Sequence, residues 1–420
     1  MADITVNQAA ITTADGVPLK DKLRRTTRLN RVKAFGLVLP LLLFILITFV
    51  FPIADMTFRS VDNPALARYI PNTLAALDKW DMTGLPGEEA FAALAKELVQ
   101  RKKDKNLGKV ANRLNYEISG MRSLLTKSAR KAAKLKGGPY TDALIKIDKR
   151  WGKTATWATI KRTGARYTLS FYLAALDMHY GADGSIAAQP EQKQIYVTLF
   201  IRTLWVSLLI TVLCLVLGYP IAYLMATLPV RVSNLLMIMV LLPFWTSLLV
   251  RTTSWIVLLQ TQGVINDLLV WIGLIGEENR MQMIYNMTGT IVAMTHILLP
   301  FMVLPLYSVM KTISPNYVRA AQSLGANPAL AFWRIYFPQS VPGIGAGSLL
   351  VFILSIGYYI TPALVGGRTG QLISNFIAYH MQSSLNWGLA AALGGLLLAG
   401  VLILYWLYNR LVGIDNMKLG

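Results

Sequence analysis

The sequence predicts an all-α membrane protein with six transmembrane helices and a helical insert between the first and the second. Hydrophobic residues make up 54% of the 420-residue chain, and its mean hydropathy of +0.47 is too high for an ordinary soluble protein. Several runs exceed the roughly 18 apolar residues that mark a membrane-spanning helix. A long hydrophilic stretch, whose apolar residues have helical spacing, separates the first run from the others.

Residues 1–33 are predicted to form a basic cytoplasmic tail, followed by transmembrane helix 1 at residues 34–58. The basic residues before this helix are Lys20, Lys22, Arg24, Arg25, Arg28, Arg31 and Lys33, with Asp21 as the single acidic residue among them. Positive charge that flanks a span stays on the cytoplasmic side, so the N-terminus is expected there. A secretory signal peptide is the rival interpretation, but the apolar run is too long and no convincing cleavage site follows it.

Residues 59–195 are predicted to form a helical insert on the extracytoplasmic side. Its apolar residues recur at helical spacing in three patterns: Phe91, Leu94 and Leu98; Leu114, Ile118, Met121 and Leu125; Leu144, Ile147 and Trp151. The patterns indicate a small domain with its own core. Its basic composition does not oppose this location, because segments longer than about 60 residues translocate largely regardless of charge. We favour a docking surface or lipid headgroup contact over nucleic-acid binding for it.

Residues 196–410 are predicted to hold five further spans, and residues 411–420 a cytoplasmic tail. The spans are expected at about Val197–Leu224, Leu235–Leu259, Thr288–Met310, Gly343–Val365 and Trp387–Arg410. Six spans return the C-terminus to the side of the N-terminus. The net charge of +20 then indicates contact with anionic membrane lipid and orientation in the bilayer rather than nucleic-acid binding.

A polar segment at residues 311–342 separates two of these spans. A first helix is expected to stop at Gly325, and Asn327 suits the N-cap of a second, aromatic helix. Pro338 and Pro342 are expected to end that helix outside the bilayer. Aromatic side chains in such a place favour docking into a groove of a partner protein.

This segment resembles the EAA loop of ATP-binding-cassette (ABC) importer permeases, in which Glu-Ala-Ala precedes a glycine, an aromatic residue, an isoleucine and Leu-Pro. Arg319 stands where the family usually has glutamate, and Phe337 where it has leucine. In the family this loop is the coupling helix, which fits a cleft of the cytoplasmic ATPase. The resemblance implies Gly325 as the hinge and Phe332 and Trp333 as anchors in that cleft. The residues implied in coupling are Arg319, Ala320, Ala321, Gly325, Asn327, Phe332, Trp333, Ile335 and Pro338.

Further stretches resemble the polyamine-type (spermidine/putrescine) branch of these permeases. They are TLWVSLLITVLCLVLGYPIAYLMA, LLPFWTSLLVRTTSWIVLL with GVINDLL, and GYYITPALVGG, so that the resemblance covers about Val197 to Arg410. It implies the type I permease fold in a bacterial inner membrane. It also implies a second permease subunit (the same or a different chain), a cytoplasmic ATPase dimer and a soluble extracytoplasmic binding protein. Polyamines are the first cargo to expect, with opines, amino-acid derivatives and phosphonates as alternatives.

Five residues are candidates for the translocation path. Arg251 lies within a span, where an ionisable side chain indicates function, although snorkelling to the interface is an equal alternative. Phe244, Trp245, Tyr358 and Tyr359 lie near glycine or proline breaks and could bind a cation through their ring faces, with core packing as the alternative. A further span residue, the histidine at position 296, is expected to be structural and neutral.

No catalytic motif, metal site or cofactor site is predicted. Gly152-Lys153-Thr154 ends like a phosphate-binding loop, but Ile147 occupies the position of its first glycine. Cys214 is the single cysteine, and the three histidines are far apart. Two other classes remain as alternatives. An ion-coupled carrier or channel would need acidic residues in the spans, and a membrane-anchored binding module would leave five spans unexplained.

Overall fold

The computed structural model describes residues 19–135, 137–181 and 184–412. The predictions for residues 1–18 and for nearly all of the tail at 411–420 therefore lie outside the described residues. The chain divides into two compact units, Met1–Phe58 and Arg59–Gly420.

The first unit is one long apolar helix. Helix α1 (Leu19–Ile45) continues through a π-helical turn (Leu46–Val50) into α2 (Phe51–Arg59). The run Leu23–Arg59 is long and apolar enough to cross a membrane. The hydroxyl of Thr48 donates to the carbonyl of Phe44 at 2.7 Å, so that this polar group is satisfied inside the helix, as lipid requires. The basic residues from position 24 onward lie on this same helix, ahead of its apolar part.

Eight short helices and a hairpin make up the insert. The helices are α3 (Pro64–Tyr69), α4 (Pro71–Asp78), α5 (Glu88–Lys103), α6 (Leu107–Glu117), α7 (Met121–Ala132), α8 (Tyr140–Ile147), α9 (Thr154–Thr163) and α10 (Ser170–Ala175), with 3-10 turns at Lys149–Gly152 and Glu191–Lys193. Strand β1 (Met178–Tyr180) pairs antiparallel with β2 (Ile186–Ala188), which places His179 opposite Ala187.

Aromatic side chains form the centre of the insert's core. Phe91, Trp151 and Trp157 are fully buried, and the ring centroids of Phe91 and Trp157 lie 4.4 Å apart. The indole N–H groups are paired: that of Trp151 donates to Ser128 Oγ at 2.8 Å, and that of Trp157 to the carbonyl of Trp151 at 2.9 Å. The stripe formed by residues 91, 94 and 98 is buried as predicted.

The second predicted stripe is wrong as a single helix. Helix α6 ends at Glu117, Ile118 is extended and exposed, and Gly120 adopts a left-handed conformation with φ +90° before α7 begins. The amide of Gly120 donates to Asn115 Oδ1 at 3.0 Å, which stabilises the turn. The chain therefore folds back, and α6 packs against α7.

The membrane part of the second unit consists of long helices and one bent pair. The elements are α11 (Tyr196–Thr227), α12 (Val230–Leu241), α13 (Leu248–Leu259), α14 (Val264–Trp271), α15 (Met287–Thr312), α16 (Pro315–Ser323), α17 (Pro328–Ala331), α18 (Phe337–Gly357), α19 (Ile360–Val365), α20 (Ile373–Gln382) and α21 (Trp387–Val412). Short 3-10 turns occupy Leu242–Trp245 and Glu277–Asn279, and a π turn occupies Phe332–Tyr336. Among the described residues of both units, five helices could cross a membrane, or six if the bent pair is one span.

The third predicted span, Leu235–Leu259, is wrong as a continuous helix. Val230–Trp245 and Leu248–Trp271 meet at an angle of 98°. Pro243 lies in the 3-10 turn where the first arm stops, and Ser247 starts the second arm by accepting the amide of Val250 at 3.2 Å. A proline followed by a good N-cap explains the break.

Helices α11, α15 and α18 pack together as the centre of the bundle. Gly218 on α11 and Gly347 on α18 both face Met302 on α15, where added Cβ atoms would lie 3.2 Å and 2.7 Å from its side chain. Small residues at helix contacts let the backbones approach closely, which is how helices associate in lipid. Met302 itself is fully buried.

The insert joins the bundle at the first turn of α11. Asp177, of which 7% is exposed, accepts the amides of Ile195, Tyr196 and Val197 at 3.1, 3.0 and 2.8 Å. A carboxylate at this position satisfies the free N–H groups and the positive end of the helix. The 32 residues of α11 extend about 48 Å, so its far end lies well away from the insert.

Removing the Asp177 carboxylate should loosen this joint. We expect Asp177→Ala to leave three amides without their acceptor and to place alanine at a left-handed residue (φ +57°), a local loss of roughly 2 kcal/mol. Hydrogen exchange of residues 195–197 in the purified full chain should then be about 30-fold faster.

Asp177→Asn is the matched control, because asparagine tolerates the left-handed conformation and keeps one acceptor oxygen. In this variant, the hydrogen-exchange rate of residues 195–197 should lie between the rates of the wild type and the alanine variant. Equal exchange in all three proteins would show that the cap does not hold this end of α11.

Candidate functional site

The segment between α15 and α18 forms the helix–elbow–helix that the sequence predicts. Ser314 caps α16, accepting the amide of Asn316 at 3.4 Å. After α16, Gly325 adopts φ +91°, and the amide of Ala326 reaches back to the carbonyl of Ala321 at 3.0 Å. An added Cβ on Gly325 would meet nothing within 4 Å, so the backbone conformation, rather than crowding, favours glycine there.

Asn327 starts the second helix by accepting the amide of Leu330 at 2.7 Å. The prediction that Pro338 and Pro342 end this helix is wrong, because Pro328–Gly357 is one continuous helical run that could itself cross a membrane. The π turn shifts the hydrogen-bond register just before Pro338, which then occupies the first turn of α18 and needs no N–H partner. The segment predicted at 311–342 thus merges with a span.

The aromatic side chains of the π turn pack inward against α11. The ring of Phe332 lies 6.2 Å from that of Tyr219 and 5.7 Å from that of Tyr223, and the ring of Tyr336 lies 5.1 Å from that of Tyr223. The hydroxyl of Tyr219 also shares a 3.0 Å hydrogen bond with Ser340 Oγ. We call Tyr219, Tyr223, Phe332 and Tyr336 the aromatic clamp. Phe332 is half-buried and packs against the rings of Tyr219, Tyr223 and Tyr336.

Other apolar side chains of the segment point outward. Leu324 is 89% exposed beside the elbow, and Tyr317, Leu330 and Trp333 are also exposed. Sequence reasoning named Trp333 but missed the other three. The signal available for Leu324 was a leucine directly before the elbow glycine. Of the remaining residues implied in coupling, Arg319, Ala320, Asn327 and Pro338 are exposed, and Ala321 and Ile335 are half-buried.

Three of the five translocation-path candidates come together at the bent pair. The guanidinium of Arg251 lies 6.0 Å from the ring centre of Phe244, and its charge acts on Tyr358. Its Nε is buried and has no hydrogen-bond partner among the described residues. Trp245 is 74% exposed, and Tyr359 is 40% exposed.

His296 extends this group, in a position that sequence reasoning treated as structural. Its Nδ1 accepts the indole N–H of Trp255 at 3.1 Å, so that a neutral ring carries its proton on Nε2. Across the described residues, no three His, Cys, Asp or Glu side chains come together in a way that could hold a metal ion. The side chains of Arg251, Phe244, Tyr358 and His296 can offer hydrogen bonds and ring faces to a solute.

Comparisons with known proteins agree with these features. Residues 218–412 match the family described as the binding-protein-dependent transport system inner membrane component. The spermidine/putrescine transport system permease protein PotB of Escherichia coli K12 is 35% identical over 221 residues, covering 52% of this chain and 80% of that protein. PotB of Haemophilus influenzae is 34% identical, covering 51% and 77%. The inner membrane ABC transporter permease protein YdcU of E. coli K12 is 31% identical over 205 residues, covering 46% and 65%.

A solved bacterial ABC transporter involved in alginate import is also similar, with 23% identity and a TM-score of 0.43 over 53% of this chain and 83% of that one. The family match begins at residue 218, beyond the insert. The predicted resemblance to ABC importer permeases is confirmed by the relatives, of which this chain covers up to four fifths. The chain belongs to the binding-protein-dependent transport system inner membrane components, as a multi-pass permease of an ABC importer in the bacterial inner membrane.

Proposed function

We propose that this permease carries polyamines, delivered by a soluble extracytoplasmic binding protein, through a path that it forms with a second permease subunit. A cytoplasmic ATPase dimer drives the transport, and the chain itself has no ATPase site. The observation that carries the proposal is the similarity to spermidine/putrescine permeases at 34–35% identity. The second permease is either another copy or a different chain.

The outward face of the segment at 315–336 is the proposed ATPase contact. Leu324, Leu330 and Trp333 expose apolar surface on a short helical element, which is what a groove on a partner recognises. In water these side chains would be unfavourably exposed. Leu324 replaces Phe332 as the central anchor, because Phe332 belongs to the aromatic clamp.

The aromatic clamp is the proposed route by which ATPase movement reaches the spans. Helix α17 continues through the π turn into α18, and Phe332 and Tyr336 pack on α11. A displacement of the segment therefore pulls on α11 and α18 together. Packed helices of this kind move as rigid bodies, which suits alternation between outward-open and inward-open states.

We propose that the insert at 59–195 lies outside the cell and the segment at 311–342 in the cytoplasm, with both termini cytoplasmic. The insert contacts the first turn of α11, and Phe332 and Tyr336 pack on Tyr219 and Tyr223 about 35–40 Å farther along the same helix. Two features at opposite ends of one span belong on opposite sides of a membrane. Basic residues in the first part of α1, ahead of its apolar part, support the cytoplasmic N-terminus.

The path itself is proposed to pass Arg251, Phe244 and Tyr358. The helices α11, α15, α18 and α21 contain no aspartate or glutamate, so a polyamine meets ring faces and carbonyl groups rather than fixed negative charge. Each ring face contributes on the order of 0.5–2 kcal/mol to cation binding. Most of the selectivity then rests with the binding protein. Opines, amino-acid derivatives and phosphonates are the second candidate, favoured by Arg251 Nε, which has no hydrogen-bond partner in the described part of the chain.

Disrupting the exposed anchor should uncouple the transporter. We expect Leu324→Ser to reduce transport-stimulated ATP hydrolysis by at least tenfold and to lower the amount of ATPase that co-purifies, because the ATPase groove loses its apolar occupant. Both are measured on the complex purified in mild detergent and reconstituted into liposomes.

Leu385→Ser is the matched control, since Leu385 is 62% exposed but lies in the link between α20 and α21. It should leave hydrolysis near the wild-type rate. If both variants behave like the wild type, the ATPase does not dock on Leu324.

The charge of Arg251 separates the two cargo classes. For a polycation, Arg251→Gln removes a repulsive charge and should raise spermidine uptake. For a carboxylate or phosphonate, the same change should lower uptake more than tenfold, because a charge-assisted hydrogen bond is lost. Uptake of radiolabelled spermidine, octopine and aminoethylphosphonate by reconstituted proteoliposomes decides between them.

Arg251→Lys keeps the charge and serves as the control in the same assay. Uptake that no Arg251 substitution changes, for any of the three solutes, would place Arg251 outside the path.

A further inference from the structure

A cavity of about 460 Å³ lies where the insert meets the bundle, at the end opposite the aromatic clamp. The residues that matter in its lining are Arg113, Glu117, His179, Lys193, Tyr196 and His380. Its size is that of a small-molecule site, typically 300–1,000 Å³. Most of the wall comes from the insert, which the family match does not include, and none of the path candidates lines it.

Arg113 is a fixed, buried cation with one unused donor. Only 6% of its surface is exposed. Its Nε donates to Asn63 Oδ1 at 2.7 Å, its Nη1 to Glu117 Oε1 at 2.8 Å, and its guanidinium lies 4.7 Å from the ring centre of Phe171. Its Nη2 has no hydrogen-bond partner among the described residues. Leaving a buried charged donor unpaired costs free energy, unless a ligand supplies the acceptor.

A second buried nitrogen in the same wall is also unused. Nδ1 of His179 has no partner among the described residues, and pairing of β1 with β2 holds this residue in place. His380, by contrast, is occupied: its Nε2 shares a 2.8 Å hydrogen bond with the hydroxyl of Tyr196, and its Nδ1 one of 2.8 Å with Ser384 Oγ. Burial lowers the pKa of His380, which keeps it neutral at pH 7.

The charge around the cavity favours an anion. Arg113 and Lys193 line it with one lining carboxylate, Glu117, and the Asp177 carboxylate beside it is engaged by three backbone amides. The Glu117 carboxylate is already engaged by Arg113 and lies 3.9 Å from Nη2 of Arg162, so that basic groups outnumber it. Aromatic walls from Phe171 and Tyr379 complete a site with an apolar body and a few polar donors.

We infer that this cavity binds a small anion through a carboxylate or phosphate group, which accepts a hydrogen bond from Arg113 Nη2. Two sources carry this chemistry. One is a free organic or inorganic anion outside the cell. The other is a lipid headgroup, since the cavity borders the first turns of α11 and α21. In either case the ligand joins the insert to the ends of the spans, because both supply its wall. The inference does not depend on the cargo of the permease.

Phosphorus and proton nuclear magnetic resonance of the purified full chain, stripped of phospholipid in a non-ionic detergent, test the site. The probes are inorganic phosphate, succinate and dihexanoylphosphatidylglycerol. We expect saturation transfer to at least one probe, and at least tenfold weaker binding in Arg113→Lys, which keeps the charge but lacks the second terminal nitrogen. Lys193→Ala and His179→Ala should weaken it as well.

Lys102→Ala, an exposed lysine of the insert outside the cavity, is the control and should bind like the wild type. Binding of phosphate or succinate assigns the site to a free anion, and binding of the lipid alone assigns it to a headgroup. If Arg113→Lys does not fold, the other two variants decide. Binding by none of the probes, or equal binding in every variant, would overturn the inference.

Discussion

The aromatic clamp, which joins the π turn to α11, is the interaction on which the attachment of the segment at 315–336 depends. Without it, the segment at 315–336 would be a polar loop between two spans, free to move by itself. With Phe332 and Tyr336 seated on Tyr219 and Tyr223, the segment is attached to the central helix of the bundle. Edge-to-face packing of this kind adds on the order of 1 kcal/mol per pair beyond burial. The inward aromatics therefore hold the segment, and its outward apolar side chains remain available to a partner.

Local geometry in the segment follows from sequence because it depends on neighbouring residues alone. An N-cap at Asn327 and a left-handed glycine at position 325 need no tertiary information. Whether Pro338 ends a helix, by contrast, does depend on tertiary information. A proline ends a helix only where its N–H would have been required, and the π turn before it removes that requirement. Nothing in the local pattern distinguishes a proline that ends a helix from one in the first turn of the next.

The same limit applies to hydrophobic patterns. Apolar runs located the long spans, since length and composition suffice for that. They did not reveal the 98° bend after Pro243, because both arms are apolar and the run continues through the break. In the insert, the stripe at positions 114–125 kept its period across a turn, so periodicity suggested one helix where Gly120 makes two. Gly120 was the better signal for where the helix ends. Leu114 is buried on α6, before this glycine, and Met121 and Leu125 are buried on α7, after it.

Sequence reasoning predicts a candidate site well only where the residues of the site are close together in the chain. Arg251 and Phe244 are close in sequence, but Tyr358 and His296 join them only through packing of the bent pair on α15 and the end of α18. The cavity at the insert lies beyond sequence reasoning for the same reason, since its wall draws on positions from 113 to 389. Helix α11 connects the cavity at the insert with the segment at 315–336. It is capped by Asp177 beside the cavity and held by the aromatic clamp at the segment. The proposed ligand at the first joint and the proposed partner at the second would therefore act on one helix, and any coupling between the two binding events would be reciprocal.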